Sequence, residues 1–156
     1  MSSAKQVSVA TELNVAARKP PASTPGTQKS MRANRRTDTK PELALRRELH
    51  RRGLRFRKDF RIQMDDIYAR PDVVFTKAKV AVFHDGCWWH GCREHGTRPK
   101  RNAAFWNQKI DKTIERDRRV TVALTDSGWT VIHVWEHEPI ADAAERIDRV
   151  VRRSVR

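Results

Sequence analysis

Acidic residues, cysteines and long apolar runs are all scarce in this sequence. Its 19 Asp and Glu residues stand against 33 Lys and Arg, so the formal charge is +14 at pH 7 and the pI is about 10.8. A chain this basic is expected to bind a polyanion, with nucleic acid the first candidate and a membrane surface the second. The sequence contains no run of about eighteen apolar residues, so no membrane span is expected. The polar first residues lack the apolar core of a secretory signal, so an intracellular protein is expected.

Both cysteines of the chain lie in one short segment, HDGCWWHGCREHG, which spans residues 84–96. Cys87, Cys92 and His95 form a Cys-x4-Cys-x2-His pattern, and in a chain without a secretory signal this spacing favours zinc over a disulfide. Tetrahedral zinc needs a fourth ligand, and His137, at the end of a later predicted strand, is suitable. The segment also holds three further polar groups that suit a reactive site: His84, Asp85 and His90.

A change in composition predicts the domain organisation. Residues 1–29 are rich in Ser, Ala, Thr, Pro and Lys and are predicted to form a disordered basic arm. Residues 30–156 are long enough for one domain with its own core. Apolar residues at helical spacing predict helices over residues 39–52, 102–127 and 140–155. Short β-branched or apolar runs predict strands over residues 72–75, 80–83 and 129–136, the first two as a hairpin.

Two carboxylates each have a structural and a functional interpretation. Asp72 opens one strand of the predicted hairpin and His84 ends its partner, so the two residues should lie close together. Mg²⁺ needs only one or two carboxylates, with carbonyls and waters completing its shell, whereas the alternative for Asp72 is a turn cap after Pro71. Glu42 follows Thr39 by three residues in a capping box, so helix capping is its simplest role.

Asp117 lies on the apolar side of the predicted helix 102–127, three residues after Ile114. A carboxylate that faces inwards must be paired or hydrogen-bonded, so either an arginine or a catalytic histidine is expected beside it.

Basic residues are concentrated around the first predicted helix. Their density favours contact with DNA phosphates over a solvated face. Within and after the helix they are Arg46, Arg47, Arg51, Arg52, Arg55, Arg57, Lys58 and Arg61. Before the helix, the predicted DNA-binding residues are Arg32, Arg35 and Arg36.

Five segments resemble the very short patch repair (Vsr) DNA mismatch endonucleases, in that family's order and spacing. They are SMRANRRTDTKPE, RPDVVF, VFHDGCWWHGCREHG, NAAFWNQKIDKTIERDRR and GWTVIHVWEHE. The resemblance implies an α/β fold similar to restriction endonucleases, with a central mixed β-sheet flanked by helices and a structural zinc site. It also implies a Mg²⁺-dependent enzyme that nicks 5′ to the thymine of a T:G mismatch left by deamination of 5-methylcytosine, which initiates very short patch repair.

The resemblance further implies roles for individual residues. Asp72 matches the Mg²⁺-binding aspartate, and the backbone carbonyl of His84 matches a second contact with that ion. His90 matches the histidine that activates the attacking water, and Asp117 matches the carboxylate that orients it. Glu42 matches an acidic residue near the metal, in competition with its capping role.

The residues that match zinc ligands are Cys87, Cys92, His95 and His137. The residues that match an aromatic wedge entering the duplex are Trp88, Trp89 and Trp106, although one of the first two is an equally good core residue.

The chain departs from the family pattern at two points. The best-known members have a Thr-His pair where this chain has His84-Asp85, so Asp85 is a candidate additional metal ligand. The predicted zinc set of two Cys and two His replaces the three Cys and one His of some members, and zinc accepts either set.

Two other functions stay open at this stage: a restriction-type endonuclease without a mismatch requirement, and a non-catalytic, zinc-stabilised DNA-binding module. The expected partner is double-stranded DNA with a T:G mismatch, and mismatch-repair proteins are compatible with that role. A single nick needs one active site, which favours a monomer. The resemblance implies a bacterial cytoplasmic protein that associates with the nucleoid when it is bound to DNA.

Overall fold

The computed structural model describes residues 20–21, 24–26, 28–29 and 38–155. Most of the predicted arm, and the predicted DNA-binding residues Arg32, Arg35 and Arg36, lie outside the described residues. Between residues 38 and 155 the elements are α1 (Lys40–Arg51), β1 (Ile62–Met64), β2 (Ile67–Ala69), β3 (Val73–Phe75), β4 (Val80–Asp85), α2 (Ala103–Asp126), β5 (Thr130–Trp135) and α3 (Ile140–Ser154).

The central sheet has the strand order β3-β4-β5 and is mixed. Strands β3 and β4 form the predicted antiparallel hairpin, with Val73 opposite Val82. Strands β4 and β5 are parallel, and helix α2 makes the crossover between them. The parallel pairing continues to Asp85 and Trp135, so β4 runs two residues beyond its predicted end at Phe83.

Alternating side chains divide the core into two layers, one on each face of this sheet. Val80 and Val82 face helices α1 and α3, where they pack in one cluster with Leu45 and Ile147. Ala81 faces the other way, where its cluster contains Leu124 of α2 and the apolar residues of the β1–β2 hairpin. The sheet is therefore covered by helices on both faces, which confirms the predicted α/β arrangement.

The β1–β2 hairpin is a separate two-stranded sheet, in which Ile62 pairs with Ala69. The sequence predicts an edge strand or an irregular connection over residues 54–64 and misses β2. Three-residue strands are too short to produce a recognisable alternation of apolar and polar residues.

Helix α1 begins after Thr39 and ends before Gly53, as predicted; Gly53 has a φ of +78° that glycine adopts without steric cost. The capping box forms in an altered way. Glu42 accepts hydrogen bonds from the Asp38 N–H and the Thr39 hydroxyl, both at 2.9 Å, whereas the Thr39 side chain caps no helix N–H. None of the described helices is long and apolar enough to cross a membrane.

Candidate active site and metal centre

Polar residues meet where the parallel strands β4 and β5 end. His84 and Asp85 are the last residues of β4, and the loop 86–96 follows them. Because β3 is antiparallel to β4, the residue before β3, Asp72, lies beside the same end of the sheet. A cavity of about 580 Å³ opens there, and its lining includes Glu42, Asp72, His84, Asp85, His90, Asp117 and His133.

Asp72 is held in the cavity by the backbone. Its Oδ2 accepts a hydrogen bond of 2.7 Å from the His84 N–H, so the two residues are adjacent as predicted. Burial raises the pKa of Asp72 to about 6, and the nearby charges of Glu42 and Asp85 act in the same direction. A buried carboxylate surrounded by other carboxylates is stabilised by a divalent cation, and oxygen donors suit Mg²⁺. The donor set therefore fits this ion.

His90 and Asp117 form a tight pair across the cavity. Their Nδ1 and Oδ2 atoms are 2.6 Å apart, and Arg116 Nη2 donates to the other Asp117 oxygen at 2.9 Å. Asp117 thus has both of the partners that the sequence predicts as alternatives. Burial acts to lower the pKa of His90, but the Asp117 hydrogen bond and the Asp85 charge outweigh it, so this pKa lies above its ordinary value. Burial acts to raise the pKa of Asp117, yet the hydrogen bonds from His90 and Arg116 lower it.

Glu42 is placed for both of its predicted roles. It accepts hydrogen bonds at the start of α1, and it also lines the cavity. Arg46 links Glu42 to the start of β3: its Nη2 lies 3.7 Å from Glu42 and 3.3 Å from the Asp72 carbonyl oxygen, and its Nη1 pairs with Asp38. Arg46 is only 8% exposed. Its predicted contact with DNA phosphate is therefore wrong, since the guanidinium is used inside the protein.

His133 is a cavity residue that sequence reasoning missed. Its Nδ1 lies 2.6 Å from Asp85 Oδ2, its Nε2 lies 3.0 Å from Thr121 Oγ1, and its ring stacks on Phe83 with centroids 5.4 Å apart. Asp85 is buried, and its Oδ1 is 3.7 Å from His90 Nδ1. The available signal was a histidine inside the apolar run of β5, because such a residue needs a polar partner.

The four predicted zinc ligands converge beside the cavity. Their ligand atoms all lie within 4.8 Å of one another: Cys87, Cys92, His95 and His137. His137 Nδ1 is 3.2 Å from the Cys87 sulfur and 3.7 Å from the Cys92 sulfur, and ligands of a tetrahedral zinc ion are expected about 3.6 Å apart. Burial acts to raise the pKa of Cys92, but the backbone N–H groups of His95 and Glu94 donate hydrogen bonds to its sulfur and lower this pKa. The lower pKa favours the thiolate, which is the form that binds metal.

The three predicted wedge tryptophans form one aromatic cluster. Trp88 contacts Trp89 edge to face with ring centroids 4.3 Å apart, and Trp106 lies 5.4 and 6.0 Å from them. Lys109 places its ammonium 5.4 Å from the Trp89 ring centroid. All three tryptophans are half-buried, so neither Trp88 nor Trp89 is a core residue.

Comparison with known proteins identifies the family. The family described as DNA mismatch endonuclease Vsr matches residues 23–95. The chain is 49% identical over 123 residues to the type II nicking enzyme V.NaeI of Lentzea aerocolonigenes, which covers 78% of this chain and 74% of that protein. It is 38% identical over 130 residues to the type II nicking enzyme V.NmeDIP of Neisseria meningitidis serogroup C, covering 80% and 85% of the two chains. It is also 38% identical over 109 residues to DNA mismatch endonuclease Vsr of Escherichia coli K12, covering 69% and 67%. The family resemblance seen in the sequence is thereby confirmed, and the protein belongs to the Vsr family of DNA mismatch endonucleases.

Proposed function

We propose that this protein is a Mg²⁺-dependent endonuclease that nicks DNA 5′ to the thymine of a T:G mismatch arising from deamination of 5-methylcytosine, and so starts very short patch repair. The observation that carries the proposal is the 2.6 Å His90–Asp117 pair in the same cavity as the buried Asp72 carboxylate. The mixed sheet with helices on both faces agrees with a fold similar to restriction endonucleases.

The chemistry required is attack of a water oxygen on phosphorus, with departure of one ester oxygen. His90 Nε2 accepts the proton of the water, while Asp117 holds the Nδ1–H and stabilises the imidazolium that forms. Asp72 and the His84 carbonyl would hold Mg²⁺, with Glu42 as a nearby carboxylate. When bound, this ion supplies positive charge to the phosphate and to the leaving oxygen.

Zinc has a structural role in this proposal. Four protein ligands leave no open coordination position for substrate, so Cys87, Cys92, His95 and His137 would hold a closed site. Two of these ligands flank His90 in the loop 86–96, and the ion therefore holds the general base in place.

Recognition of the mismatch is assigned to the cluster of Trp88, Trp89 and Trp106. A mismatched pair is easier to unstack than a matched one, so insertion of aromatic rings costs less there. Lys109 lies beside these rings and adds a positive charge for the neighbouring phosphate. Such a substrate is found on the bacterial nucleoid, and one active site per nicked strand is consistent with a monomer.

The test is a nicking assay on labelled duplexes that differ only in one T:G or C:G pair, with and without added Mg²⁺. We expect the wild-type protein to nick the T:G duplex 5′ to the thymine only when Mg²⁺ is present, and Asp72→Ala to bind DNA without cutting it. Equal cutting of both duplexes would indicate a restriction-type nuclease without a mismatch requirement. Tight binding with no cutting in varied flanking sequences would indicate a DNA-binding module.

A further inference from the structure

Two polar residues that line the cavity, the buried Asp85 and the partly buried His133, have no part in the mechanism above. His133 contacts Thr121 of α2, the helix that also carries Asp117, and both Asp85 and His133 line the same cavity as Asp72 and His90. Asp85 is only 6% exposed, so its carboxylate needs partners inside the protein.

The contacts form a continuous chain from His90 to Thr121. Asp85 Oδ1 is 3.7 Å from His90 Nδ1, Asp85 Oδ2 is 2.6 Å from His133 Nδ1, and His133 Nε2 is 3.0 Å from Thr121 Oγ1. An ionised carboxylate only accepts hydrogen bonds, so His133 donates its Nδ1–H to Asp85. The stacking of the His133 ring on Phe83 fixes the plane of that donor.

These contacts leave Asp85 poorly suited to be the metal ligand that its position beside His84 suggests. One oxygen is occupied by a short charge-assisted hydrogen bond, and the other faces His90. To reach a cation next to Asp72, the Asp85 carboxylate would have to give up its short hydrogen bond from the His133 Nδ1–H.

We propose that His133 is a positioning residue that holds the Asp85 carboxylate beside His90 and away from Mg²⁺, so that two carboxylates, Asp85 and Asp117, stabilise the charged imidazole during cleavage. The inference rests on the proposed function, because it assigns a further role within the same active site. No proton leaves Asp85 or His133 in this scheme; the proton taken from water stays on His90 until it returns to solvent.

The experiment compares single-turnover nicking rates of His133→Leu, His133→Asn, Asp85→Asn and the double variant Asp85→Asn/His133→Leu at saturating Mg²⁺ and T:G duplex. We expect His133→Leu to lower the nicking rate about tenfold. This is less than the hundredfold or more that a general base contributes, because His90 itself and its Asp117 partner remain. His133→Asn keeps an N–H donor for Asp85 and should stay within about threefold of wild type. The double variant should be no slower than Asp85→Asn alone, because His133 acts through Asp85 and both changes therefore remove the same interaction.

Two measurements separate this role from a structural one and from metal binding. We expect the Mg²⁺ affinity measured by calorimetry to be unchanged in Asp85→Asn, and the downfield ring N–H resonance of His133 to persist when Mg²⁺ is added to the protein without DNA. His50→Leu, which removes a histidine packed on Phe56 outside the cavity lining, is the matched control and should cut at the wild-type rate.

Three results would overturn the inference while leaving the proposed function intact: additive losses in the double variant, no recovery in His133→Asn, or a Mg²⁺ affinity at least tenfold weaker in Asp85→Asn. Failure of the wild-type protein to cut the T:G duplex would instead overturn the proposed function, and the inference with it.

Discussion

At Asp72 the requirements of folding oppose those of the proposed Mg²⁺ binding. Burial in the cavity raises the pKa of this carboxyl from 3.8 to about 6, so above that pH the folded protein must hold a charge in an unfavourable environment. The folded state binds more protons than the unfolded state between these two pKa values. This residue's contribution to stability is therefore most favourable at low pH and is lost as the pH rises through about 6.

Asp72→Asn should therefore stabilise the protein in buffer without Mg²⁺. We expect a gain of about 3 kcal/mol at pH 8, since the pKa is raised from 3.8 to about 6 and one pKa unit corresponds to about 1.4 kcal/mol, and a gain below about 1 kcal/mol at pH 4. Urea unfolding of both proteins at the two pH values measures this difference. An equal change at both pH values would show that the carboxylate charge is not its cause, and added Mg²⁺ should stabilise only the wild type.

Asp117→Asn tests the pairing of Asp117 with His90, the proposed general base. The asparagine can present an amide N–H to His90 Nδ1 and so favour the wrong tautomer, and we expect the nicking rate to fall at least about a hundredfold with DNA affinity unchanged. Single-turnover nicking and fluorescence anisotropy measure the two quantities. Asp111→Asn is the control, because Asp111 lies on the same helix but is exposed and paired with Arg98. Loss of DNA binding in Asp117→Asn would contradict this role.

At the scale of elements, we expect the loop 86–96 to depend on the proposed zinc ion for its order. It carries His90 and two of the tryptophans between its cysteines, and it has no regular strand or helix of its own. Backbone hydrogen bonds hold it locally, from the His90 N–H to the Gly86 carbonyl and from the Cys92 N–H to the Cys87 carbonyl.

Removal of the proposed zinc should disable this loop. We expect about one zinc ion per chain by atomic absorption, and loss of that ion in Cys92→Ala together with a lower Tm and undetectable nicking. Glu94→Gln is a milder comparison, because Glu94 lies 3.5 Å from His137 Nε2 and acts only through that ligand. A Cys92→Ala protein with wild-type Tm and activity would show that neither the loop nor the nicking reaction needs zinc.

The β1–β2 hairpin presents an aromatic ring at the cavity. Tyr68 is 53% exposed, lines the cavity, and lies under the Arg61 guanidinium at 4.1 Å. We expect Tyr68→Ala to weaken DNA binding by about tenfold, because stacking of a base on an aromatic ring contributes roughly 1–3 kcal/mol, whereas Tyr68→Phe should bind normally. Titration of a labelled duplex measures the affinity of each variant for DNA. Val122→Ala is the control, because Val122 is an exposed apolar residue outside the cavity lining. Equal binding by all three variants would exclude contact between the hairpin and DNA.

At the scale of the whole molecule, the charge of +14 and the tryptophan cluster should have separate effects on DNA binding. Phosphate contacts release counterions regardless of sequence, so the affinities for T:G and C:G duplexes should fall with salt at the same slope. Trp89→Ala should reduce the T:G preference without changing that slope. Affinities measured between about 50 and 200 mM salt test both statements. A slope that changes with the mismatch would mean that recognition itself is electrostatic.

The sequence by itself determined the ends of the helices, the β3–β4 hairpin, the four candidate metal ligands that converge and the family, because each depends on local patterns or short spacings. Only the tertiary structure decided the positions and contacts of Arg46, Asp85 and His133. Arg46 is buried because α1 packs against the strand that follows Asp72, and no local pattern distinguishes it from its exposed neighbours. Asp85 meets His133 because β4 and β5 pair in parallel with Phe83 opposite His133, a register that brings together residues 48 positions apart. Such pairings depend on how strands align across the sheet, and the residues on either strand alone do not specify that alignment.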